Sequence, residues 1–292
     1  MPRTLTGGWP RLHSRRYRAV LWSLDSLPWP WGERVLALYA TARGLAQPES
    51  LRHARRWAAA QEATPAGRWR LALALVAGRA RNRAANAMLG LPGPAPLRPQ
   101  ITIEGEENLR AACERGGVLL AGFHLGPARR VLPLLMAGYR VATIAGHADA
   151  LLASRAGWRA CLDMSETLLI PKGDHVVAGL QLARATRLLL ERRIVYLDVD
   201  GGRGPEAFRI SVPGGSIIVR ARWLALRHHA RPTTLPILAH LEGHRRVITV
   251  YPPLPDPDPD RARDREVCRA IISAIVDSYV RRFPEQCRWW RR

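Results

Sequence analysis

Residues Gly117–Pro127 read GVLLAGFHLGP. The apolar run Val118–Ala121 lies between glycines, the pattern of a short strand buried on both faces. The chain then passes Phe123 and His124 into Gly126-Pro127, and proline suits the first position of a helix. This order predicts a strand over Gly117–Phe123, a histidine at its carboxyl tip, and a helix over Pro127–Tyr139 kinked at Pro133. Open parallel sheets bind ligands in the crevice at that end of their strands. A histidine there fits a general base acting on an acceptor hydroxyl or amine; it equally fits a structural histidine in a loop. Gly126, Arg129 and Arg130, at the start of the expected helix, are the groups suited to hold an anion.

Outward from this stretch, strands and helices alternate. Ile101–Ile103, Arg140–Ala145, Ile194–Val199, Thr234–Leu241 and Arg245–Tyr251 have strand character. Glu106–Glu114, Ala148–Leu162, His175–Glu191 and Arg263–Arg282 read as helices, and Ile217–Arg227 as helical or mixed. The tract PPLPDPDPD over Pro252–Asp260 reads as extended surface loop. The fold class is therefore α/β, a mainly parallel sheet flanked by helices.

The first third differs. Glu33–Gly44, Glu49–Ala63 and Gly67–Leu89 read as helices, separated by Pro28, Pro30, Pro48 and Pro65. Trp69, Leu73, Val76 and Ala80 recur at helical spacing, with Arg79, Arg81 and Arg83 beyond them as the candidates to bind a polyanion. Leu91–Pro99 carries four prolines and reads as a semi-rigid boundary. Two regions follow: a basic helical extension over 1–98 and an α/β domain over 99–292.

Of the 292 residues, 47% are apolar, which excludes a disordered chain. No run of apolar residues is long enough to span a bilayer, and Met1–Trp31 lacks the apolar core of a secretory signal. The expected location is cytoplasmic, with peripheral attachment to the inner face of the cytoplasmic membrane as the alternative. Cys113, Cys161, Cys268 and Cys287 show no metal-ligand spacing and read as free thiols; no metal or other cofactor is expected. The formal net charge is +21, almost all from arginine, since Lys172 is the only lysine. Residues 1–100 hold sixteen arginines against four acids, Asp25, Glu33, Glu49 and Glu62. Such an excess points to a polyanionic partner: nucleic acid, anionic lipid headgroups, or a phosphate-bearing carrier.

From Ile101 to Arg292 the chain resembles the late lipid A (lauroyl/myristoyl) acyltransferases, a branch of the lysophospholipid acyltransferase superfamily. That branch has a strand followed by H-x4-D/E with a glycine two residues after the histidine, matched here by Gly117–Phe123, His124 and Gly126. Arg192–Gly202 (RRIVYLDVDGG) resembles its strand ending in an aspartate-containing turn, with Asp198 at the matching aspartate. Phe208–Gly215, Thr234-Leu235-Pro236 and Tyr251-Pro252-Pro253-Leu254 resemble later segments in order. Phe283–Arg291 (FPEQCRWWR) resembles the closing P-E-Q-W-x-W-x-x-R signature. The resemblance implies an acyltransferase fold and His124 as general base.

Two departures stand out. The family's acid five residues after the histidine is Arg129 here, and a cation beside the ring disfavours imidazolium. Another carboxylate must orient His124 if the family chemistry is kept. Asp149, Asp163, Asp198 and Asp200 are the candidates, and Asp198 comes first because it ends a neighbouring expected strand. Otherwise Arg129 and Arg130 serve as a phosphate site. The second departure is that the N-terminal membrane anchor usual in the family is missing.

Arg155 and Arg159 are further phosphate candidates on an expected helix, and His147 with Asp149 a second polar pair. His228-His229 fits a surface position, and most of the ten tryptophans fit the core. The leading function is transfer of an acyl group from an acyl carrier protein or coenzyme A thioester to a hydroxyl or amine beside His124. The first alternative uses aminoacyl-tRNA as donor, which the arginine-rich N-terminal third would suit. The second is a catalytically inactive binding relative.

Overall fold

The computed structural model describes residues 29–88, 101–127, 134, 137–145, 165–170, 175–200, 204–213, 215–243 and 245–287. Three helices come first: α1 (Trp29–Leu45), α2 (Pro48–Ala59) and α3 (Pro65–Met88). The remainder runs β1 (Ile101–Glu104), α4 (Glu106–Arg115), β2 (Val118–Gly122), β3 (Val141–Ala145), β4 (Ser165–Leu169), α5 (His175–Leu190) and β5 (Ile194–Asp198). It continues with β6 (Glu206–Val212), β7 (Gly215–Arg220), α6 (Arg222–Ala230), β8 (Thr233–Glu242), β9 (Arg245–Val250), α7 (Arg261–Arg282) and a 3-10 turn, Pro284–Gln286.

Seven strands form one sheet in the order β1-β9-β8-β2-β5-β3-β4, and β6 pairs with β7 as a separate hairpin. Every neighbouring pair in the large sheet is parallel except β8 and β9. The α/β class read from the sequence is therefore observed: a mainly parallel sheet flanked by helices.

Successive strand residues point to opposite faces, and the core divides accordingly. Leu119, Ala121, Ala142, Val195, Leu197 and Leu238 pack with α2, α3, α5, α6 and α7. Val118, Leu120, Val141, Ile194, Tyr196 and Ile237 pack with Leu109 and Ala112 of α4 and with Leu134. β2 is buried at every residue because both its faces are covered. The N-terminal helices belong to the first of these cores through Ala54, Trp57, Ala58, Ala72, Leu75 and Val76. Asn82 of α3 also donates from Nδ2 to the Gln286 carbonyl at 3.2 Å.

Helix ends follow local chemistry. Asp260 caps α7 by accepting from the Ala262 and Arg263 N–H groups at 2.8 and 3.3 Å, and Pro48 opens α2 where its missing N–H costs nothing.

Several expectations are sharpened or corrected. Ile217–Arg227, read as helical or mixed, is mixed rather than helical throughout: strand to Arg220 and helix from Arg222. On α3 the buried stripe is Ala72, Leu75, Val76 and Ala80, whereas Trp69 and Leu73 are more than 40% exposed. Both stripes have helical spacing, and the packing of α1 and α2 selects one. Within Pro252–Asp260, Leu254 is buried rather than at the surface. β4 was not expected. The helix over Ala148–Leu162, the boundary Leu91–Pro99 and most of Pro127–Tyr139 lie outside the described residues.

Candidate functional site

β2 and β5 end side by side, with Gly122 opposite Asp198 in the register. Beyond the last pair the two chains stay joined. Val199 N–H donates to the Gly122 carbonyl at 2.8 Å, and His124 N–H donates to both carboxylate oxygens of Asp200 at 3.0 Å. The His124 ring turns to the same carboxylate, with Nδ1 2.8 Å from Oδ1. An ionised carboxylate only accepts, so Nδ1 carries the proton and the lone pair of the neutral ring falls on Nε2. Asp200 is 1% exposed, while the His124 side chain is 38% exposed. The Nδ1 edge is thus anchored in the protein, while the side chain as a whole is partly exposed.

Asp198 approaches the other edge, its Oδ2 3.5 Å from Nε2. Its other oxygen accepts from the Tyr196 hydroxyl at 2.7 Å. Tyr196 and Asp198 are two apart on β5 and so share a face of the sheet. Gly122 makes room for this pair, because a Cβ there would run into the Tyr196 ring and hydroxyl.

Onward connections leave the two strands on opposite faces. Leu134, between β2 and β3, packs in one core, and Trp223, between β5 and β8, packs in the other. The carboxyl ends of β2 and β5 are therefore the position in the sheet at which open parallel sheets bind ligands.

The loop behind His124 is held by the C-terminal turn. Gly126 N–H donates to the Gln286 carbonyl at 3.1 Å, the same oxygen that Asn82 of α3 reaches. The Gln286 side chain is itself fixed to β8, accepting from Leu241 N–H at 2.7 Å and donating to its carbonyl at 2.9 Å. Gly126 has φ +66°, and a Cβ would strike the Ala239 carbonyl and the Tyr279 hydroxyl. Glycine is required here on both counts.

His124, Asp198 and Asp200 bring one ligand atom each within 4.8 Å of one another, which makes them a geometric metal candidate among the described residues. Both Asp200 oxygens already accept from His124 itself. Oδ1 of Asp200 is thereby committed to the backbone and ring of His124, and Nδ1 of His124 is turned to Asp200 rather than to a shared centre. The arrangement suits proton handling better than metal ligation.

Of the residues singled out in the sequence, His124, Gly126, Asp198 and Asp200 come together. Asp198 was the first-ranked acid, but Asp200 lies nearer the ring. The sequence sign was the spacing Asp-x-Asp at a strand end, where the second acid can fold back on the neighbouring strand. Arg129, Arg130 and Arg155 lie outside the described residues, as do Arg159, His147, Asp149 and Asp163. Arg79 is half-buried and Arg81 exposed; at 100° per residue they point about 200° apart around α3 and share no face. Arg83 belongs to the same helix. His228 is no surface residue: its Nε2 lies 3.2 Å from Asp264 and its side chain is 13% exposed.

Gln286, Tyr196 and the buried Arg227–Asp264 pair were not anticipated, since each acts through a partner distant in sequence or through strand register. Arg227 lies 3.0 Å from Asp264 and also donates to the Pro255 carbonyl. No known family model matches the chain, and no curated protein matches it.

Proposed function

We propose that the protein is an acyltransferase that moves an acyl group from a thioester carrier to a hydroxyl or amine, with His124 as general base. The observation that carries this reading is the His124 Nδ1–Asp200 contact of 2.8 Å, which supplies the carboxylate that Arg129 had seemed to remove. The resemblance from Ile101 to Arg292 supports it, including the lysophospholipid acyltransferase type of fold.

The acceptor heteroatom attacks the thioester carbonyl as Nε2 takes its proton. The tetrahedral intermediate collapses, the carbon–sulfur bond breaks, and Nε2–H returns the proton to the departing sulfur. Asp200 keeps the ring in the tautomer with Nε2 unprotonated and stabilises the imidazolium, without taking a proton itself. Asp198, 3.5 Å from Nε2, adds a second negative charge beside the imidazolium. The step needs no nucleophilic serine or cysteine, and the buried thiols agree with that, since burial pushes Cys268 up to about 11.

The test supplies labelled acyl-coenzyme A, acyl carrier protein thioester and aminoacyl-tRNA to the full chain with a panel of hydroxyl and amine acceptors. Transfer from a thioester that disappears in His124→Ala is expected. Transfer only from aminoacyl-tRNA would favour the alternative donor, and release of none of the three labels would remove the enzymatic reading.

A further inference from the structure

Residues Arg52, Arg55, Arg56 and Ala59 of α2 lie at helical spacing on its outer face, opposite the buried Ser50, Ala54, Trp57 and Ala58. The first turn of α3 faces them with Pro65, Arg68 and Trp69, and together these seven residues line a cleft of about 400 Å³. That volume falls within the size of small-molecule sites.

The cleft's charge is uncompensated. Some arginines elsewhere meet acids, such as Arg110 with Glu106, Arg193 with Glu166 and Arg227 with Asp264, and others do not; what sets the cleft apart is that four arginines converge on one concavity. Among the described residues none of Arg52, Arg55, Arg56 or Arg68 forms an ion pair. Arg68 spends its Nε on the Glu62 backbone carbonyl at 2.8 Å, leaving its terminal nitrogens for another partner. The Arg55 guanidinium stacks 4.5 Å from the Trp69 ring centroid, and that indole remains 43% exposed. Unpaired guanidiniums around an exposed aromatic ring match a ligand with several phosphates and a flat base.

We propose that this cleft binds the phosphorylated adenosine end of coenzyme A, with Arg52, Arg56 and Arg68 on the phosphates and Trp69 and Arg55 against the base. The choice of coenzyme A rests on the thioester reading above. Arg68 precedes Asn82 by fourteen residues of one continuous helix, about 20 Å along its axis. Asn82 shares the Gln286 carbonyl with Gly126, two residues from His124. A nucleotide held in the cleft therefore needs a long flexible arm to present a thioester at His124, and pantetheine is such an arm. A concave cleft of this size favours a single nucleotide over the broad groove that an RNA backbone would need.

Equilibrium titration calorimetry of the full chain with coenzyme A, dephospho-coenzyme A and pantetheine tests this without turnover. Coenzyme A is expected to bind, dephospho-coenzyme A more weakly, and pantetheine not measurably. The double variant Arg56→Gln/Arg68→Gln should weaken coenzyme A about tenfold or more with an unchanged melting temperature. Trp69→Ala should weaken coenzyme A more than inorganic pyrophosphate, which has no base to stack. Coenzyme A that fails to bind, or binds wild type and double variant alike, overturns the assignment. So does a tRNA bound through these arginines in the absence of any coenzyme A binding. Coenzyme A binding lost in the double variant, with no transfer from acyl-coenzyme A, keeps the cleft and removes only the transferase reading. Transfer whose KM for acyl-coenzyme A is unmoved in the double variant does the reverse.

Discussion

The Asp200 carboxylate grips His124 twice, taking its backbone N–H on both oxygens at 3.0 Å and its ring Nδ1–H on Oδ1 at 2.8 Å. One buried side chain thereby sets both the position of the histidine and the tautomer of its ring. An amide in that place presents an NH2 to one of these donors. Asp200→Asn should therefore lower kcat by orders of magnitude, up to about 10⁴ by comparison with loss of the orienting acid in serine proteases, with little change in KM. Steady-state kinetics with the responding thioester measure the split, and a wild-type kcat would remove the positioning role. His124→Ala should abolish transfer while the chain still folds, at a melting temperature somewhat lowered because the buried Asp200 loses its ring partner.

Asp198 should matter less and in a different way. It lies 3.5 Å from Nε2, where its charge favours imidazolium. In Asp198→Asn the basic limb of the pH–rate profile should keep its height, and the acidic limb should move to lower pH as the ring becomes easier to deprotonate. A profile that does not move would show that the carboxylate is too well solvated to act on the ring. Tyr196→Phe, which deletes only the hydroxyl bonded to Asp198, should cost about 1 kcal/mol of stability in a denaturant titration.

The Arg227–Asp264 pair predicts how the fold responds to acid. Burial pushes the Asp264 carboxyl up, but the hydrogen bonds and charge of Arg227, helped by the Asp258 N–H and His228, outweigh it and hold the group below the ordinary aspartate value. A carboxyl lowered in the folded state contributes stability that is full above the unfolded value of about 3.9. That contribution is lost as pH falls through the lower folded value. Thermal melts below about pH 4 should thus fall more steeply for wild type than for Asp264→Asn. At neutral pH Asp264→Ala should cost about 3–5 kcal/mol, since it strands a buried guanidinium.

Thiol reactivity offers an independent check on packing. Burial pushes Cys268 up to about 11 and Cys287 further still, while Cys113 is only partly buried and is raised by burial and by nearby Glu114. With a thiol reagent at about pH 8, Cys113 should be modified before Cys268 or Cys287. Cys268 and Cys287 should react only at the rate of unfolding, read residue by residue in a mass-spectrometric time course.

These sites show what a linear reading can and cannot reach. β2, β5 and β8 announce themselves because a strand covered on both faces is a run of apolar residues, a local signal. The histidine at the end of β2 is legible for the same reason. Choosing between Asp198 and Asp200 is not local, because it depends on the β2–β5 register and on the turn at Val199. Ile217–Arg220 stays open between helix and strand in the sequence because four apolar or long residues fit either period, and the partner strand β6 decides. Trp69 and Leu73 share helical spacing with Val76 and Ala80 as legitimately as Ala72 and Leu75 do, and the neighbouring helices make the selection. Gln286 was visible as part of a closing motif, but nothing in the motif says that its carbonyl serves Gly126.

The strand order also bears on how the molecule comes into being. β1 is an edge strand whose neighbour in the sheet is β9, with Ile101 opposite Arg246, and Gly126 in the loop behind His124 donates to the Gln286 carbonyl. During synthesis the first strand must wait for the last, and partners so distant in sequence make for slow closure. A chain that stops short of residue 286 lacks the carbonyl to which Gly126 N–H donates, so the turn next to His124 loses a brace that comes from the far end of the sequence.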